Sequence, residues 1–187
     1  MSGGECTLQP EFLVEFLALA HDEGIHTAVD TCGYNAREVY AKLMPYTDLF
    51  LYDIKLMDRE KHKAYTGVYP EIIRENALFL AAQGARLWIR IPLIPGYTDD
   101  LADLKEAARW IKGLETVERV DLLAYNPLCV ADYEKLGLDY PLKNTALLSQ
   151  EKMNIVRNVM LEAGLPNVQV SGMLKEESEY EPVAGDH

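Results

Sequence analysis

Charged and polar residues close several apolar stretches of this chain, and their spacing invites a chemical reading. Asp53-Ile54-Lys55 ends the run Asp48-Leu49-Phe50-Leu51-Tyr52. If that run is a strand, side chains alternate across it, so Asp53 and Lys55 point to one side and present an acid and a base together. Asp30-Thr31 closes a β-branched stretch that begins at Ile25, Arg90 lies in the apolar residues 87–94, and Tyr125-Asn126 follows residues 117–124. Ligands of parallel α/β proteins bind at the carboxyl ends of the strands. The four polar ends are therefore expected to converge around one mouth. The bland alternative for Asp53 and Lys55 is a rim salt bridge, and a chemical alternative is a Schiff-base aldolase using Lys55. Ser2-Gly3-Gly4-Glu5 stands just before a helix, where glycines let backbone amides approach a ligand and the helix amino end favours an anion.

These residues need elements to position them, and the pattern supplies an alternation. Residues 10–23 read as a helix with Pro10 at its first position and Phe12, Leu13, Phe16, Leu17 and Ala20 at helical spacing. Strands are expected at 25–30, 48–55, 87–94 and 117–125, with a short one at 168–170. Helices are expected at 35–44, from Asp58, from Pro70, at 101–112, and from Ser149 to Gly164. The strand at 48–55 reads as buried on both faces. The residues between 125 and Ser149 read as irregular loop. The expectation is an α/β fold: parallel strands with outer helices, doubly wound or part of a (β/α) barrel, over residues 1–174. Residues 175–187 read as an acidic, disordered tail.

Composition narrows the classes. The chain has 187 residues, 18 Lys plus Arg against 30 Asp plus Glu, and a net charge of -12, which gives nucleic acid or an anionic membrane no electrostatic purchase. No run approaches the ~20 apolar residues of a membrane span and the first residues are unlike a signal peptide, so a cytoplasmic location is expected. His21, His26, His62 and His187 share no ligand spacing. Cys6, Cys32 and Cys129 are scattered and odd in number, which fits neither a disulfide framework nor a local metal clip. Cys32 reads as a small packing residue, and Pro92-x-x-Pro95-Gly96 as a strand exit and turn.

Taken in order, Ser2-Gly3-Gly4-Glu5, Asp30-Thr31-Cys32-Gly33, Asp53-Ile54-Lys55, Arg90-Ile91-Pro92-Leu93-Ile94-Pro95-Gly96 and Leu122-Leu123-Ala124-Tyr125-Asn126 resemble the glycyl-radical-enzyme activating enzymes. These are radical S-adenosylmethionine proteins of the pyruvate formate-lyase-activating type. The resemblance implies a partial (β/α) barrel, a 4Fe-4S cluster, reductive cleavage of S-adenosylmethionine, and a glycyl radical enzyme as partner. It implies that Gly3, Gly4 and Glu5 face the methionyl amino group, that Asp53 and Lys55 contact the methionyl moiety, and that Arg90 belongs to the same cofactor site. It also implies a monovalent-cation site at Asp30, Thr31, Asp53 and the Leu51 carbonyl. Asn126 stands where the family commonly has a His near the adenosine, and a side-chain amide can still hydrogen-bond there.

The family's C-x-x-x-C-x-x-C loop, expected before Gly-Gly-Glu, does not occur in these residues, and Cys6, Cys32 and Cys129 do not replace it by spacing. The chain is therefore expected to be a C-terminal portion of an activase, lacking the first strand of a barrel that typically takes ~250 residues, and inactive as given. A lateral sheet edge left uncovered would promote self-association. The alternative is a noncatalytic interaction or structural module that keeps the fold.

Overall fold

The computed structural model describes residues 1–175. Residues 176–187, most of the expected tail, lie outside the described residues, whereas Lys175 belongs to a short strand.

Helix α1 (Pro10–Asp22) opens the fold, followed by β1 (Ala28–Thr31), α2 (Arg37–Leu43), β2 (Leu49–Asp53), α3 (Arg59–Thr66), α4 (Glu71–Ala82), β3 (Leu87–Leu93), α5 (Leu101–Lys112) and β4 (Val117–Ala124). Then come α6 (Val130–Lys135), β5 (Leu148–Ser149), α7 (Gln150–Glu162), β6 (Val168–Ser171) and β7 (Leu174–Lys175). Strands β1, β2, β3, β4 and β6 form one sheet in that order, and every neighbouring pair is parallel. Each crossover between neighbours carries at least one helix, the connection a parallel pair requires. The result is the expected α/β fold, a partial barrel with helices outside. Strands β5 and β7 make a separate two-stranded parallel pair.

Helix ends follow local chemistry. Asp58 accepts from Lys61 N at the start of α3, Asp100 from Ala102 N and Asp103 N at the start of α5, and Ser149 from Lys152 N at the start of α7. Gly67 ends α3 in the left-handed region, at φ 82°. Packing between elements adds a further tie: buried Asp103 on α5 accepts from Met57 N and Asp58 N, fixing the chain that leads from β2 into α3.

Two expectations about burial are corrected. In α1 the inward residues are Leu13 and Leu17, while Phe12 and Phe16 lie outside and stack on each other with centroids 6.1 Å apart. In β2, Phe50 and Tyr52 are fully buried under the helices, but Leu51 and Asp53 are only half-buried. Strand β3 alternates in the same way, with Leu87, Ile89, Ile91 and Leu93 buried and Trp88, Arg90 and Pro92 half-buried. Side chains alternate across a strand, so one row packs under the helices and the other faces the concave inside of the sheet. That inner row carries the charges. Strand β3 also runs through Pro92, which pairs with Leu123, and ends at Leu93, one residue before the expected end.

The loop expected before Ser149 contains a 3-10 turn, Pro127–Cys129, and helix α6. The outer edge of β1, expected to be bare, is paired: the Met1 amino group donates to Ala28 O, and Asp30 N donates to Met1 O at 2.9 Å. An edge of only four residues is largely satisfied by these two bonds.

Candidate active site at the strand carboxyl ends

The register sets Asp53 of β2 directly beside Arg90 of β3, and Asp30 of β1 beside Leu51. Arg90 reaches both acids. Its Nε donates to Asp53 Oδ1 at 2.9 Å, its Nη1 donates to Asp30 Oδ2 at 3.0 Å, and its Nη2 also contacts Asp30 Oδ1. Lys55 Nζ donates to the other Asp53 oxygen at 3.1 Å. Side chains of Arg90, Asp30 and Asp53 are 20%, 21% and 20% exposed, so the pairs are partly desolvated and stronger than surface ion pairs. Burial works against the Arg90 charge, but Asp53 and Asp30 outweigh it and hold its pKa above the ordinary arginine value. Two acids and two bases thus form one charge-balanced rim.

The amino-terminal loop joins this rim by two routes. Ser2 Oγ donates to Asp30 Oδ2 at 2.8 Å. The Glu5 carboxylate turns inward and accepts from Thr7 N, Thr7 Oγ1, Thr31 Oγ1 and Cys32 N at 2.7–3.2 Å. Burial raises the Glu5 pKa, yet the hydrogen bonds from Cys32, Thr7 and Thr31 together carry it below its ordinary value. Glu5 is therefore a staple between the Gly3-Gly4 loop and the end of β1. Gly3 and Gly4 have φ of 107° and 57° with open space around them, so the backbone conformation rather than crowding selects glycine.

A cleft of about 640 Å³ opens beside the rim, lined by Cys32, Asp53, Lys55, His62, Tyr97 and Tyr140 among others. The exposed lining is chiefly apolar, with Asp53 and Lys55 its charged residues and His62, Thr66, Thr98 and several tyrosines its other polar groups. Its far wall, Tyr140-Pro141-Leu142, belongs to the strap after β4 and was not legible as a site element. The strap is anchored by Tyr125, whose hydroxyl donates to Leu142 O at 2.8 Å.

The expected residues do not all meet. Asp30, Asp53, Lys55 and Arg90 converge, and Gly3, Gly4 and Glu5 reach them through the staple. Asn126 does not join: its Oδ1 accepts from Leu128 N and caps the 3-10 turn. Of the groups of the expected monovalent-cation site, the Asp30 and Asp53 carboxylates are held together, by Arg90. Thr31 Oγ1 faces Glu5 and Tyr40, away from Asp30, and the Arg90 guanidinium bridges the two carboxylates.

A 4Fe-4S cluster does not fit the cysteines present. Cys6 Sγ donates to Asp30 O at 3.3 Å by the β1 edge, Cys32 lines the cleft, and Cys129 lies in the turn after β4. No three His, Cys, Asp or Glu among the described residues are grouped to hold a metal. Burial and then Glu5 push the Cys6 thiol up, and burial and its hydrogen bond with Glu5 push Cys32 up to about 11, so both stay protonated at neutral pH rather than as the thiolates that iron needs.

Residues 1–136 match the model of the radical SAM superfamily. The chain is 38% identical over 161 residues to the pyruvate formate-lyase-activating enzyme of Clostridium pasteurianum, covering 86% of this chain and 67% of that protein. It is 37% identical over 169 residues to the choline trimethylamine-lyase activating enzyme of Oleidesulfovibrio alaskensis, covering 89% of this chain and 54% of that one. The chain thus spans between about half and two thirds of such relatives. Among solved structures, a domain of the pyruvate-formate lyase-activating enzyme of Bacteroides vulgatus superposes with a TM-score of 0.76 at 29% identity, over 92% of this chain and 97% of that one. With the sheet order and strand-end rim described above, these matches establish that the chain belongs to the radical SAM superfamily and, within it, to the glycyl radical enzyme activating enzymes.

Proposed function

We propose that this chain carries the S-adenosylmethionine-binding rim of an activase that installs a glycyl radical on a partner of the pyruvate formate-lyase type. The observation that carries this reading is the charge-balanced rim of Asp30, Asp53, Lys55 and Arg90 at one end of an apolar cleft. The methionyl end of S-adenosylmethionine is a zwitterion, with an ammonium and a carboxylate on one carbon. Lys55 offers a cation to the carboxylate and Asp53 an acceptor to the ammonium, both held by partners before the ligand arrives. Arg90 fixes Asp53, and Glu5 fixes the Gly3-Gly4 backbone against the ammonium. The apolar remainder of the cleft takes the less polar part of the ligand and excludes water. Asn126, whose Oδ1 caps the turn after β4 away from the rim, would have to turn its free amide N–H groups toward the cleft to contact the adenosine. A monovalent cation at Asp30, Thr31, Leu51 and Asp53 would require Arg90 to withdraw and Thr31 to turn.

Reductive cleavage needs an electron from a 4Fe-4S cluster, and these 187 residues do not supply its ligands. The chain by itself is therefore expected to be inactive in radical formation. Residues 1–174 act as one barrel domain in this reading. No described helix is long and apolar enough to cross a membrane, in keeping with a cytoplasmic activase. With Met1 paired to β1, the apolar outer face of α1, with Phe12, Phe16 and Leu19 exposed, is the surface through which copies would associate.

The arrangement of the cysteines also favours a second reading, a noncatalytic module that keeps the fold and the rim. Anaerobic incubation with iron and sulfide, followed by the visible spectrum, tests the inactivity. The expected result is no stable cluster absorbance, and a stoichiometric 4Fe-4S band would contradict it. Saturable binding of S-adenosylmethionine that is lost in Lys55→Met and Asp53→Asn would support the rim under either reading.

A further inference from the structure

His62 lies on α3, is 2% exposed, and is among the residues lining the cleft. One side of the ring is fixed by the turn that ends α3. His62 Nδ1 is 2.8 Å from Val68 O, and Thr66 Oγ1 is 3.0 Å from the same nitrogen. A carbonyl oxygen only accepts, so Nδ1 carries the proton and donates to Val68 O. In a neutral imidazole Nε2 is then an acceptor with a free lone pair. Nε2 has no hydrogen-bond partner among the described residues. It is also not sealed away: Thr116 Oγ1 is the one fully enclosed side-chain polar atom without a partner among them. The remaining nitrogen of His62 therefore keeps some accessible surface, on a residue that lines the cleft. Burial favours the neutral ring, the Val68 carbonyl opposes this, and the Lys55 and Arg74 charges add to burial, with the net result below the ordinary histidine value.

We propose that His62 is a ligand-positioning residue of this cleft, its Nε2 accepting a hydrogen bond from a neutral N–H or O–H donor of the bound ligand. The inference rests on the proposed function of the cleft. The same donor chemistry occurs in a ribose hydroxyl of S-adenosylmethionine and in a backbone amide of a peptide segment of the partner enzyme. Most of the cleft surface is apolar, so a ligand donor buried there needs an acceptor; of the hydroxyls in the lining, Thr98 is spent on Ile94 N and Pro92 O and Thr66 on backbone carbonyls of its own turn. Lys55 donates only, and Asp53 is taken by Arg90, Lys55 and, in the proposed function, the ligand ammonium, which leaves His62 for a neutral donor.

Two substitutions separate positioning from folding. In His62→Asn the side-chain amide can take the place of Nδ1 and keep the Val68 bond while removing the cleft acceptor. In His62→Gln an amide reaches the place of Nε2 and restores an acceptor. The experiment compares the wild-type chain and both variants by thermal unfolding, ring-nitrogen chemical shifts, and ligand-detected titration. The probes are S-adenosylmethionine and, separately, acetyl-Ala-Gly-Ala-N-methylamide. The expected result is a neutral His62 protonated on Nδ1 in the free chain. His62→Asn should stay folded and bind at least one probe roughly threefold to tenfold more weakly, the loss of one hydrogen bond, with His62→Gln restoring affinity to within about twofold. A loss confined to S-adenosylmethionine assigns the donor to its ribose, and a loss confined to the peptide assigns it to an amide. A proton found on Nε2, or wild-type affinity in His62→Asn, overturns the proposal and leaves the rim standing. A wild-type chain that binds neither probe overturns the reading of the rim as well.

Discussion

Two walls of the same cleft are built differently. The wall made by β1, β2 and β3 is crossed by ion pairs and buried hydrogen bonds, with Arg90 clamped by Asp30 and Asp53, and Glu5 stapled to Thr31 and Cys32. The opposite wall, residues 126–147, meets the barrel through the Tyr125 hydroxyl on Leu142 O and leaves Leu128, Leu136 and Leu138 exposed. One wall is preorganised for a small charged group. The other has apolar surface to offer and few bonds to lose, as expected of an element that adapts to whatever docks at the mouth.

The contrast can be broken from the rigid side first. Gly33 follows Cys32 at φ 77°, and a Cβ there would fall 1.9 Å from the Tyr52 hydroxyl. Gly33→Ala should destabilise the chain by about 3 kcal/mol, read as a shifted urea midpoint, because strain and overpacking add. Arg90→Leu takes the guanidinium from two carboxylates that are about four-fifths buried, leaving Asp53 with Lys55 and Asp30 with Ser2, and a loss of about 2–3 kcal/mol is expected, the low end for a broken buried pair because these partners and some solvent remain. If Arg90→Leu unfolded like the wild-type chain, the rim would be decorative. Glu5→Gln weakens the staple and should lose about 1–2 kcal/mol at neutral pH. The Glu5 pKa is depressed from its ordinary 4.5, so its contribution is present above that value and is lost as pH falls through the lower folded value. The acid side of a stability-pH curve should accordingly flatten in Glu5→Gln.

On the adaptable wall the effects should be small. Tyr125→Phe removes the strap anchor, and about 1 kcal/mol or less of global stability is expected to go with it. Faster proteolysis between residues 126 and 147 is the sharper readout. A Tyr125→Phe loss as large as that of Arg90→Leu would erase the distinction between the two walls.

Much of the rigid wall was legible because a charge inside an apolar strand is conspicuous. Asp30, Asp53 and Arg90 could be assigned to one face, and the parallel register then makes Asp53 and Arg90 neighbours. The inward turn of Glu5 was not legible, since its four donors come from residues 7, 31 and 32 and no local pattern announces a contact across the fold. The same holds for Met1, whose pairing with Ala28 and Asp30 replaces the bare edge that spacing implied. Phe12 and Phe16 share helical periodicity with Leu13 and Leu17, and only the packing of α1 against the sheet decides which pair is buried. Helix α6 has six residues, too few for periodicity to distinguish it from loop. His62 was passed over with the other histidines because its significance lies in which ring nitrogen is left over, and that depends on Val68 O.

The most direct measurement is calorimetric or ligand-detected titration of the purified chain with S-adenosylmethionine, run beside Lys55→Met and Asp53→Asn, with unfolding curves recorded on the same samples. A preformed zwitterion receptor should give saturable wild-type binding, weakened about tenfold or more in both variants while their folds persist. Saturable binding that ignores both substitutions, or no binding at millimolar ligand, would contradict the assignment of this rim to the methionyl group.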